Sequence, residues 1–280
     1  MLNAMTIDVE DYFHVSNFED CIPRGEWDFM PLRVEESTRK TLEVLSVYGV
    51  RATFFVLGWV AERLSHLIRE IRAAGHEVAS HGHDHRLAFD MTPEEFRADI
   101  RRSKAAIEDA IGERVYGYRA TSYSFLRKNL WCLKVLAEEG FLYDSSIFPV
   151  YHDRYGIPEW DRFPSMVSEG GYTICEVPPS TIRLFGHNIP MAGGGYLRLL
   201  PVWFLERGIR SINTAEGMPA VVYIHPWEFD AEQPRIRTPF LRGFRHYNNI
   251  RNTEKKISHL LKNFSFGPVC EAIDIKGMAR

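Results

Sequence analysis

The chain has 280 residues, of which 45% are hydrophobic and 25% are charged, and its formal net charge is −3. This size suits one large α/β domain, and the charge balance gives no indication of a nucleic-acid partner. No apolar stretch reaches the ~18 residues of a membrane span, and the first residues lack a signal-peptide pattern, so we expect a cytoplasmic protein.

The cysteines are few and widely separated. They are Cys21, Cys132, Cys175 and Cys270, and no two of them form a CxxC pair. We therefore expect them to be small buried hydrophobic side chains rather than disulfides or metal ligands.

Short apolar runs alternate with stretches of helical periodicity in the first half of the chain. In chain order the pattern predicts a strand at 2–9, a helix at 34–48, a strand at 52–57, a helix at 59–74, a strand at 77–79, a helix at 92–111, a strand at 115–118 and a helix at 129–139. Thr92 and Glu95 have the spacing of a capping box at the start of the third helix.

The second half of the chain continues the alternation. The pattern predicts a strand at 173–177, a helix at 201–213, a strand at 220–224, a helix at 253–264 and a final strand at 269–275. Two irregular stretches, 151–171 and 234–251, are predicted to be long loops, which are often functional in compact domains. The alternation predicts parallel strands joined by crossover helices, in a barrel or a doubly wound sheet.

The first predicted strand ends in an acidic cluster, Asp8-Val9-Glu10-Asp11. Side chains two residues apart on a strand point the same way, so Asp8 and Glu10 share a face and Val9 lies opposite. Two carboxylates that converge at a strand end repel each other unless a cation or a proton lies between them. A solvated acidic turn is the alternative interpretation.

Histidines follow the third predicted strand in the run Ser80-His81-Gly82-His83-Asp84-His85. Imidazole is a preferred ligand of zinc and similar metals, and the HxxxH spacing can bring His81 and His85 to one point. Surface histidines would explain such a motif equally well on its own. Combined with the acidic cluster, it predicts a site with one carboxylate, two imidazoles and open positions for water, as in catalytic metal sites.

Two further candidates follow later strands. Arg119 needs a carboxylate partner if it is buried, and Asp8 is a candidate; a surface arginine is the alternative. His225 follows the apolar strand at 220–224 and is either a core histidine or a general acid or base. Because the carboxyl ends of parallel strands face the active site in such folds, we expect these clusters to meet.

The order of these motifs resembles that of the polysaccharide deacetylase (NodB homology) family. The matching segments are TIDVED, SHGHDH, YRATSYS and VVYIHPWE, which span residues 6–228. The segments GGGYLRLLP and RGFRHYNN also resemble a C-terminal region, here about 190–280, of a subgroup associated with bacterial exopolysaccharide loci. The resemblance implies one NodB-like domain over 1–280, folded as a distorted (β/α)7 barrel that the C-terminal region completes or extends.

The resemblance also implies an activity and a set of roles. It implies a metal-dependent hydrolase, with zinc as the expected metal, that removes N-acetyl groups from an N-acetylated polysaccharide or oligosaccharide. Asp8 is implied as the catalytic base and His81 and His85 as metal ligands. Arg119 is implied to orient or tune the base, and His225 to act as the general acid.

The sequence departs from the family pattern in places. The common motif has two adjacent aspartates, so the third metal ligand is open here between Glu10 and Asp11, and strand alternation favours Glu10. Asp144 lies where the family has a supporting acidic residue. Thr121 stands where the family often has proline, which affects the stiffness of the loop more than the chemistry.

Other residues are candidates for contacts with substrate. Backbone N–H groups around Tyr123 are expected to stabilise the oxyanion, and the Tyr123 and Trp227 rings either stack on sugars or pack internally. Four arginines either contact an anionic glycan or form a solvated face: Arg235, Arg237, Arg242 and Arg245. The rival functions are an amide or ureide hydrolase of the same fold with a small cyclic substrate, and a glycan-binding module without turnover.

Overall fold

The structure, a computed structural model, describes residues 1–191 and 193–278, including all their side chains except those of Lys276 and Met278. The strands within these residues are β1 (Leu2–Val9), β2 (Thr53–Val56), β3 (Glu77–Ser80), β4 (Gly117–Tyr118), β5 (Tyr143–Asp144), β6 (Ser165–Glu169), β7 (Tyr172–Glu176), β8 (Thr181–Leu184), β9 (His187–Pro190), β10 (Val221–Ile224) and β11 (Ser265–Gly267).

The α-helices in the same residues lie mostly between the strands. They are α1 (Val34–Val47), α2 (Gly58–Arg63), α3 (Ser65–Ala73), α4 (Pro93–Ile111), α5 (Trp131–Glu138), α6 (Gly194–Leu199), α7 (Val202–Thr214), α8 (Phe240–Tyr247), α9 (Thr253–Asn263), α10 (Val269–Ala272) and α11 (Ile275–Met278). None of these described helices is long and apolar enough to cross a lipid bilayer.

Most of the strands form one sheet, in the order β10-β1-β2-β3-β4-β5-β7-β6, and β11 also pairs with β1. β1 runs parallel to both β2 and β10, and its buried residues have neighbours on either side, as is usual in parallel sheets. The pairs β6–β7 and β8–β9 are antiparallel. These features confirm a mixed α/β fold with a parallel sheet.

The two ends of the main sheet are not joined by a strand ladder within the described residues. The backbone N–H of Ser180, shortly after β7, donates to the carbonyl of Val221 in β10 at 3.1 Å. This contact links the segment after β7 to β10, while β6 lies at the other end of the sheet. The closed (β/α)7 barrel therefore stays a prediction.

Several predicted elements differ from the observed ones for local reasons. The helix predicted at 59–74 is broken at Leu64, whose φ of −125° is not helical. Both halves, α2 and α3, still pack on α4. The apolar periodicity therefore continues across Leu64, and the sequence pattern does not show that the helix is interrupted there. The capping box at Thr92 is present, and Gly112 ends α4 in the left-handed conformation.

The C-terminal prediction of a strand at 269–275 is wrong. The strand lies just before it, at β11, and Pro268 then starts the short helix α10. A run as short as this does not distinguish a strand from a helical turn by its periodicity. The two stretches predicted as loops also contain structure, namely β6 in the first and α8 in the second.

The cysteines match the expectation only in part. All four are free thiols, as expected. Cys132 and Cys175 are buried, but Cys21 is only half-buried and Cys270 is exposed. The prediction of a buried side chain was therefore wrong for Cys270.

Candidate active site

β1 delivers two carboxylates to the carboxyl edge of the sheet. Asp8 and Glu10 are almost fully buried, and both line a cavity of about 680 Å³. Val9, between them, is buried in the apolar core. The alternation expected of a strand thus places both carboxylates on the side of the cavity.

His81 and His85 converge on one oxygen of Glu10. Glu10 Oε1 lies 2.9 Å from His81 Nε2 and 3.0 Å from His85 Nε2. One ligand atom from each of the three residues lies within 4.8 Å of the others. His85 has a φ of +51°, a left-handed conformation uncommon outside glycine, so the loop backbone is bent to bring the two rings together.

The tautomer of His81 indicates whether Glu10, His81 and His85 can bind a cation. His81 Nδ1 lies 2.7 Å from the backbone oxygen of Arg119, which can only accept, so Nδ1 carries the proton. In the neutral ring the Nε2 lone pair then faces the Glu10 carboxylate, and two acceptors at this distance need a proton or a cation between them. Two imidazoles and a carboxylate are a common donor set for catalytic zinc, so the residues fit a divalent metal ion.

Glu10 carries its negative charge in a buried position. Burial opposes the charged form, but the charge of His85 and the close contacts with the His81 and His85 rings hold the pKa of the Glu10 carboxyl well below its usual range. His83, between the two converging histidines, points elsewhere: its ring contacts Asp84 and Glu62.

Asp11 turns away from this cluster. Its Oδ2 accepts the backbone N–H groups of Arg33 and Val34 at 2.7 and 2.8 Å, at the start of α1. Its Oδ1 accepts the N–H of Tyr12. Asp11 therefore satisfies free donors at a helix start, and the geometry favours Glu10 as the carboxylate that faces the histidines.

Arg119 and Asp8 form the buried pair expected from the sequence. Arg119 is fully buried, and its Nη1 donates to Asp8 Oδ1 at 2.7 Å and to Thr6 Oγ1 at 2.8 Å. Its Nη2 donates to Ser145 Oγ, and the guanidinium lies 4.2 Å from the centre of the Phe55 ring. These contacts fix one oxygen of Asp8 and leave the other, Oδ2, towards His225.

His225 lies across the cavity edge from the base candidate, with Nε2 3.9 Å from Asp8 Oδ2. Its Nδ1 lies 2.7 Å from Oε1 of Glu228. Burial lowers the pKa of the imidazole, but the hydrogen bond to Glu228 and the charges of Glu10, Glu228 and Asp8 outweigh it and raise that pKa to about 9. The ring is therefore cationic at neutral pH, with Nδ1–H donating to Glu228.

The structure bears on two expectations about aromatic and backbone groups. The backbone N–H of Tyr123 donates to the carbonyl of Ala120 at 3.1 Å, so it is not free to stabilise an oxyanion. The Trp227 ring is buried between the rings of His225 and His246, at centroid distances of 5.1 and 4.2 Å. Trp227 therefore packs internally on both faces, and it also borders the cavity, as Tyr123 does.

Comparison with known proteins divides the chain into two matched regions. Residues 17–140 match the family model of polysaccharide deacetylase, and residues 145–274 match a domain of unknown function, DUF3473. Residues 17–140 are thus similar in sequence to the polysaccharide deacetylase family.

Curated relatives support this family over part of their length. A peptidoglycan deacetylase of Helicobacter pylori is 31% identical over 127 residues, which cover 44% of this chain and 42% of the relative. A chitooligosaccharide deacetylase of Bradyrhizobium sp. is 32% identical over 100 residues, which cover 36% of this chain and 43% of the relative. The chain thus spans less than half the length of these relatives.

Solved structures share the fold along nearly the whole chain. A protein from Mycobacterium smegmatis that was assigned to the polysaccharide deacetylases is 20% identical, with a TM-score of 0.63 over 99% of this chain and 89% of its own. A peptidoglycan N-acetylglucosamine deacetylase is 15% identical, with a TM-score of 0.52 over 97% of this chain and 87% of its own. At these identities the likeness is one of fold.

Both matched regions contribute to the site. The polysaccharide deacetylase region carries His81, His85 and Arg119, and the region of unknown function carries His225 and Glu228. Asp8 and Glu10 come before both, at the end of β1 and just after it, and β1 lies between β2 and β10.

Sequence reasoning missed Glu228 and its partner Arg198. Both are buried, and Arg198 Nε lies 2.8 Å from Glu228 Oε2. Arg198 also donates to the backbone carbonyls of Arg245 and His246, so it links α6 and α8 to the acid candidate. The signal for Glu228 was its position three residues after His225, which lets its carboxylate accept the His225 backbone N–H at 3.0 Å, as in a capping box. Arg198 had no local signal.

Asp144 supports the site from behind and does not line the cavity. It is fully buried, and it accepts hydrogen bonds from the hydroxyl and the backbone N–H of Ser146. Ser146 in turn accepts the backbone N–H of Ala120, the residue after Arg119. Burial raises the pKa of Asp144 to about 6, and burial together with Asp144 raises that of neighbouring Glu176 well above its usual range, so the two carboxyls hold a proton between them.

Proposed function

We propose that this protein is a metal-dependent hydrolase that removes N-acetyl groups from an N-acetylated polysaccharide or oligosaccharide. The observation that carries the proposal is the meeting, at one cavity, of a Glu-His-His donor set with a buried carboxylate and a cationic histidine. The relatives named peptidoglycan deacetylase and chitooligosaccharide deacetylase support the class of substrate.

Glu10, His81 and His85 would hold a divalent cation, and we propose zinc because of the two imidazoles. Such an ion, when bound, supplies Lewis-acid chemistry: it polarises the amide carbonyl and lowers the pKa of water. Arg119 supports this set indirectly, because its backbone carbonyl accepts from His81 Nδ1 and so leaves Nε2 free to bind.

The remaining chemistry is assigned to Asp8 and His225. Asp8 Oδ2 accepts a proton from the water that attacks the acetamide carbonyl carbon, while Arg119 holds Oδ1 in place. As the carbon–nitrogen bond breaks, the Nε2 proton of His225 passes to the departing amine. Glu228 keeps Nδ1 hydrogen-bonded, so that the transferable proton is the one that faces Asp8 and the cavity. The products are acetate and a free amino sugar.

Three finer assignments belong to the same proposal. We place the chain in the subgroup associated with bacterial exopolysaccharide loci, on the strength of the segments GGGYLRLLP and RGFRHYNN. We propose one domain over 1–280 whose region 190–280 extends a distorted barrel. The pairing of β10 with β1 and the approach of His225 to Asp8 support this arrangement, because they tie that region to the site.

The test is acetate release from N-acetylglucosamine oligomers and peptidoglycan by the zinc-loaded protein, before and after treatment with EDTA. We expect release that EDTA abolishes and zinc restores. Asp8→Asn should lose turnover by about 100-fold or more while it still binds zinc. Asp109→Asn, an exposed change on α4, is the matched control and should behave like the wild type.

The rival functions give different results in the same assays. Hydrolysis of small cyclic ureides without acetate release would favour the ureide hydrolase. Glycan binding that is indifferent to EDTA, with no acetate released from any glycan, would favour a binding module. Full activity of Asp8→Asn would refute the assignment of the base.

A further inference from the structure

The helix α8 presents large apolar side chains to solvent. Phe240, Leu241 and Phe244 are 82%, 69% and 46% exposed, and the rings of Phe240 and Phe244 stack one turn apart. Isolated exposed apolar residues are common, but a group of three bulky ones on an eight-residue helix marks a surface that contacts a partner.

The surroundings of this helix are strongly basic, although the chain as a whole is slightly acidic. The segment 234–251 contains five arginines and no aspartate or glutamate. Arg235, Arg237 and Arg245 are exposed, whereas Arg242 is half-buried and pairs with Asp20. The apolar side chains of α8 therefore lie within a local field of positive charge.

The helix lies at the mouth of the cavity. Arg198 of α6 donates to the carbonyls of Arg245 and His246, which fixes the C-terminal turn of α8 against α6. Arg245 itself lines the cavity, together with Leu199 at the end of α6. A partner bound to α8 would therefore lie next to the entrance of the site.

We propose that α8 and its flanking arginines form a membrane-docking surface, which binds the headgroup region of an anionic lipid bilayer. The apolar side chains of Phe240, Leu241 and Phe244 enter the interface, and the exposed arginines pair with lipid phosphates. A short helix with an apolar face and a basic surround has the composition of interfacial helices. The proposal concerns binding alone and does not depend on hydrolysis.

Charge and side-chain type favour a bilayer over two other occupants. A second copy of this surface would place like charges opposite each other, which disfavours self-association through it. An anionic glycan could pair with the arginines and stack on the phenylalanines. A glycan would leave the aliphatic side chain of Leu241 exposed to water, whereas a lipid bilayer buries aromatic and aliphatic side chains alike.

The experiment is co-sedimentation of the full chain with lipid vesicles. We compare vesicles of phosphatidylcholine alone with vesicles that also contain phosphatidylglycerol, at low and high NaCl. Binding should require phosphatidylglycerol and weaken as salt screens the arginines. Arg235→Gln/Arg237→Gln should weaken partitioning by about fivefold for each arginine removed. Phe240→Ser/Leu241→Ser/Phe244→Ser should weaken it by about tenfold or more, because the apolar contribution is lost.

The matched controls are exposed residues of α1 and α3. Val47→Ser removes an exposed apolar residue and Arg69→Gln an exposed arginine, and both should bind vesicles like the wild type. The arginine variant keeps the test informative if the triple serine variant fails to fold. Equal binding to both kinds of vesicle, or no effect of either set of changes, would overturn the proposal. So would a soluble anionic polysaccharide, polygalacturonate, that binds through these arginines while vesicles do not.

Discussion

Glu228 holds His225 at two points: its Oε1 lies 2.7 Å from the ring Nδ1 and 3.0 Å from the backbone nitrogen. One buried carboxylate therefore fixes the ring tautomer and also the turn on which the ring is carried. Arg198 in turn neutralises Glu228 from the other side. Residues of α6 and of the turn after β10 thus set the tautomer and the position of His225, the acid candidate.

Glu228→Gln should confine the protonated form of His225 to a lower pH range without removing it. The change removes a charge that raises the pKa of His225, so the pKa falls from about 9 and the protonated ring is lost at a lower pH. We expect the alkaline limb of the kcat profile for acetate release to shift to lower pH, with KM little changed. Glu232→Gln, an exposed neighbour, is the control, and an unshifted limb in Glu228→Gln would contradict the role.

Arg119→Met should destabilise the fold, because it leaves Asp8 as a buried charge without its partner. Breaking a buried pair in this way costs about 3–5 kcal/mol of unfolding free energy, measurable by urea denaturation. Adding Asp8→Asn to Arg119→Met should recover part of the loss, because the unpaired charge is then gone. Arg69→Met, at an exposed position on α3, should have little effect. Additive losses in the double variant would show that the two side chains are not coupled.

Asp11→Ala and Glu10→Gln should separate helix capping from metal binding. Asp11→Ala removes an acceptor from three backbone N–H groups and should cost about 1–3 kcal/mol of stability with zinc content unchanged. Glu10→Gln should lower zinc affinity by more than the roughly 10–100-fold that loss of a supporting residue costs. Zinc measured after dialysis and urea unfolding give the two readouts. A loss of zinc from Asp11→Ala with Glu10→Gln unaffected would reverse the assignment.

The Asp144–Glu176 pair should make stability fall as pH rises. Because the folded pKa of Asp144 is raised from its ordinary 3.8 to about 6, its contribution is complete below about pH 4 and is lost as pH passes through about 6. The side chain introduced by Asp144→Asn cannot ionise. The unfolding free energy of this variant should therefore rise relative to that of the wild type from pH 4 to pH 8, by on the order of 1–3 kcal/mol. A difference that stays constant with pH would mean that the carboxyl titrates normally in the folded protein.

Local patterns in the sequence predicted the elements that carry the site. β1, the capping box of α4 and the polar residues after four strands follow from alternation, cap chemistry and the parallel sheet. Strand alternation also favoured Glu10 over Asp11. The hydrogen bonds from the start of α1 to Asp11 could not be predicted, because they depend on how the chain folds back between Asp11 and Arg33, which are 22 positions apart.

The parts that could not be predicted depend on contacts distant in sequence. Arg198 reaches Glu228 only because α6 packs beside the turn after β10, which no periodicity records. Trp227 lies two residues after His225, where an aromatic ring could stack on a sugar. The ring of His246 from α8 covers one face of Trp227, and the ring of His225 packs on it as well. The break at Leu64 was invisible for the opposite reason, since both halves of the helix keep the same buried side.

The place of β1 in the sheet has a consequence for how the protein is made. Thr6 on this strand hydrogen-bonds to the carbonyl of Val222, 216 residues later, and Ala4 to Ile7 pair with β10. The strand that carries Asp8 and leads into Glu10 is synthesised long before β10, so it gains that neighbour only after the roughly 200 intervening residues have left the ribosome. Such distant pairings form slowly, so we expect the two carboxylates to reach their final positions among the last steps of folding.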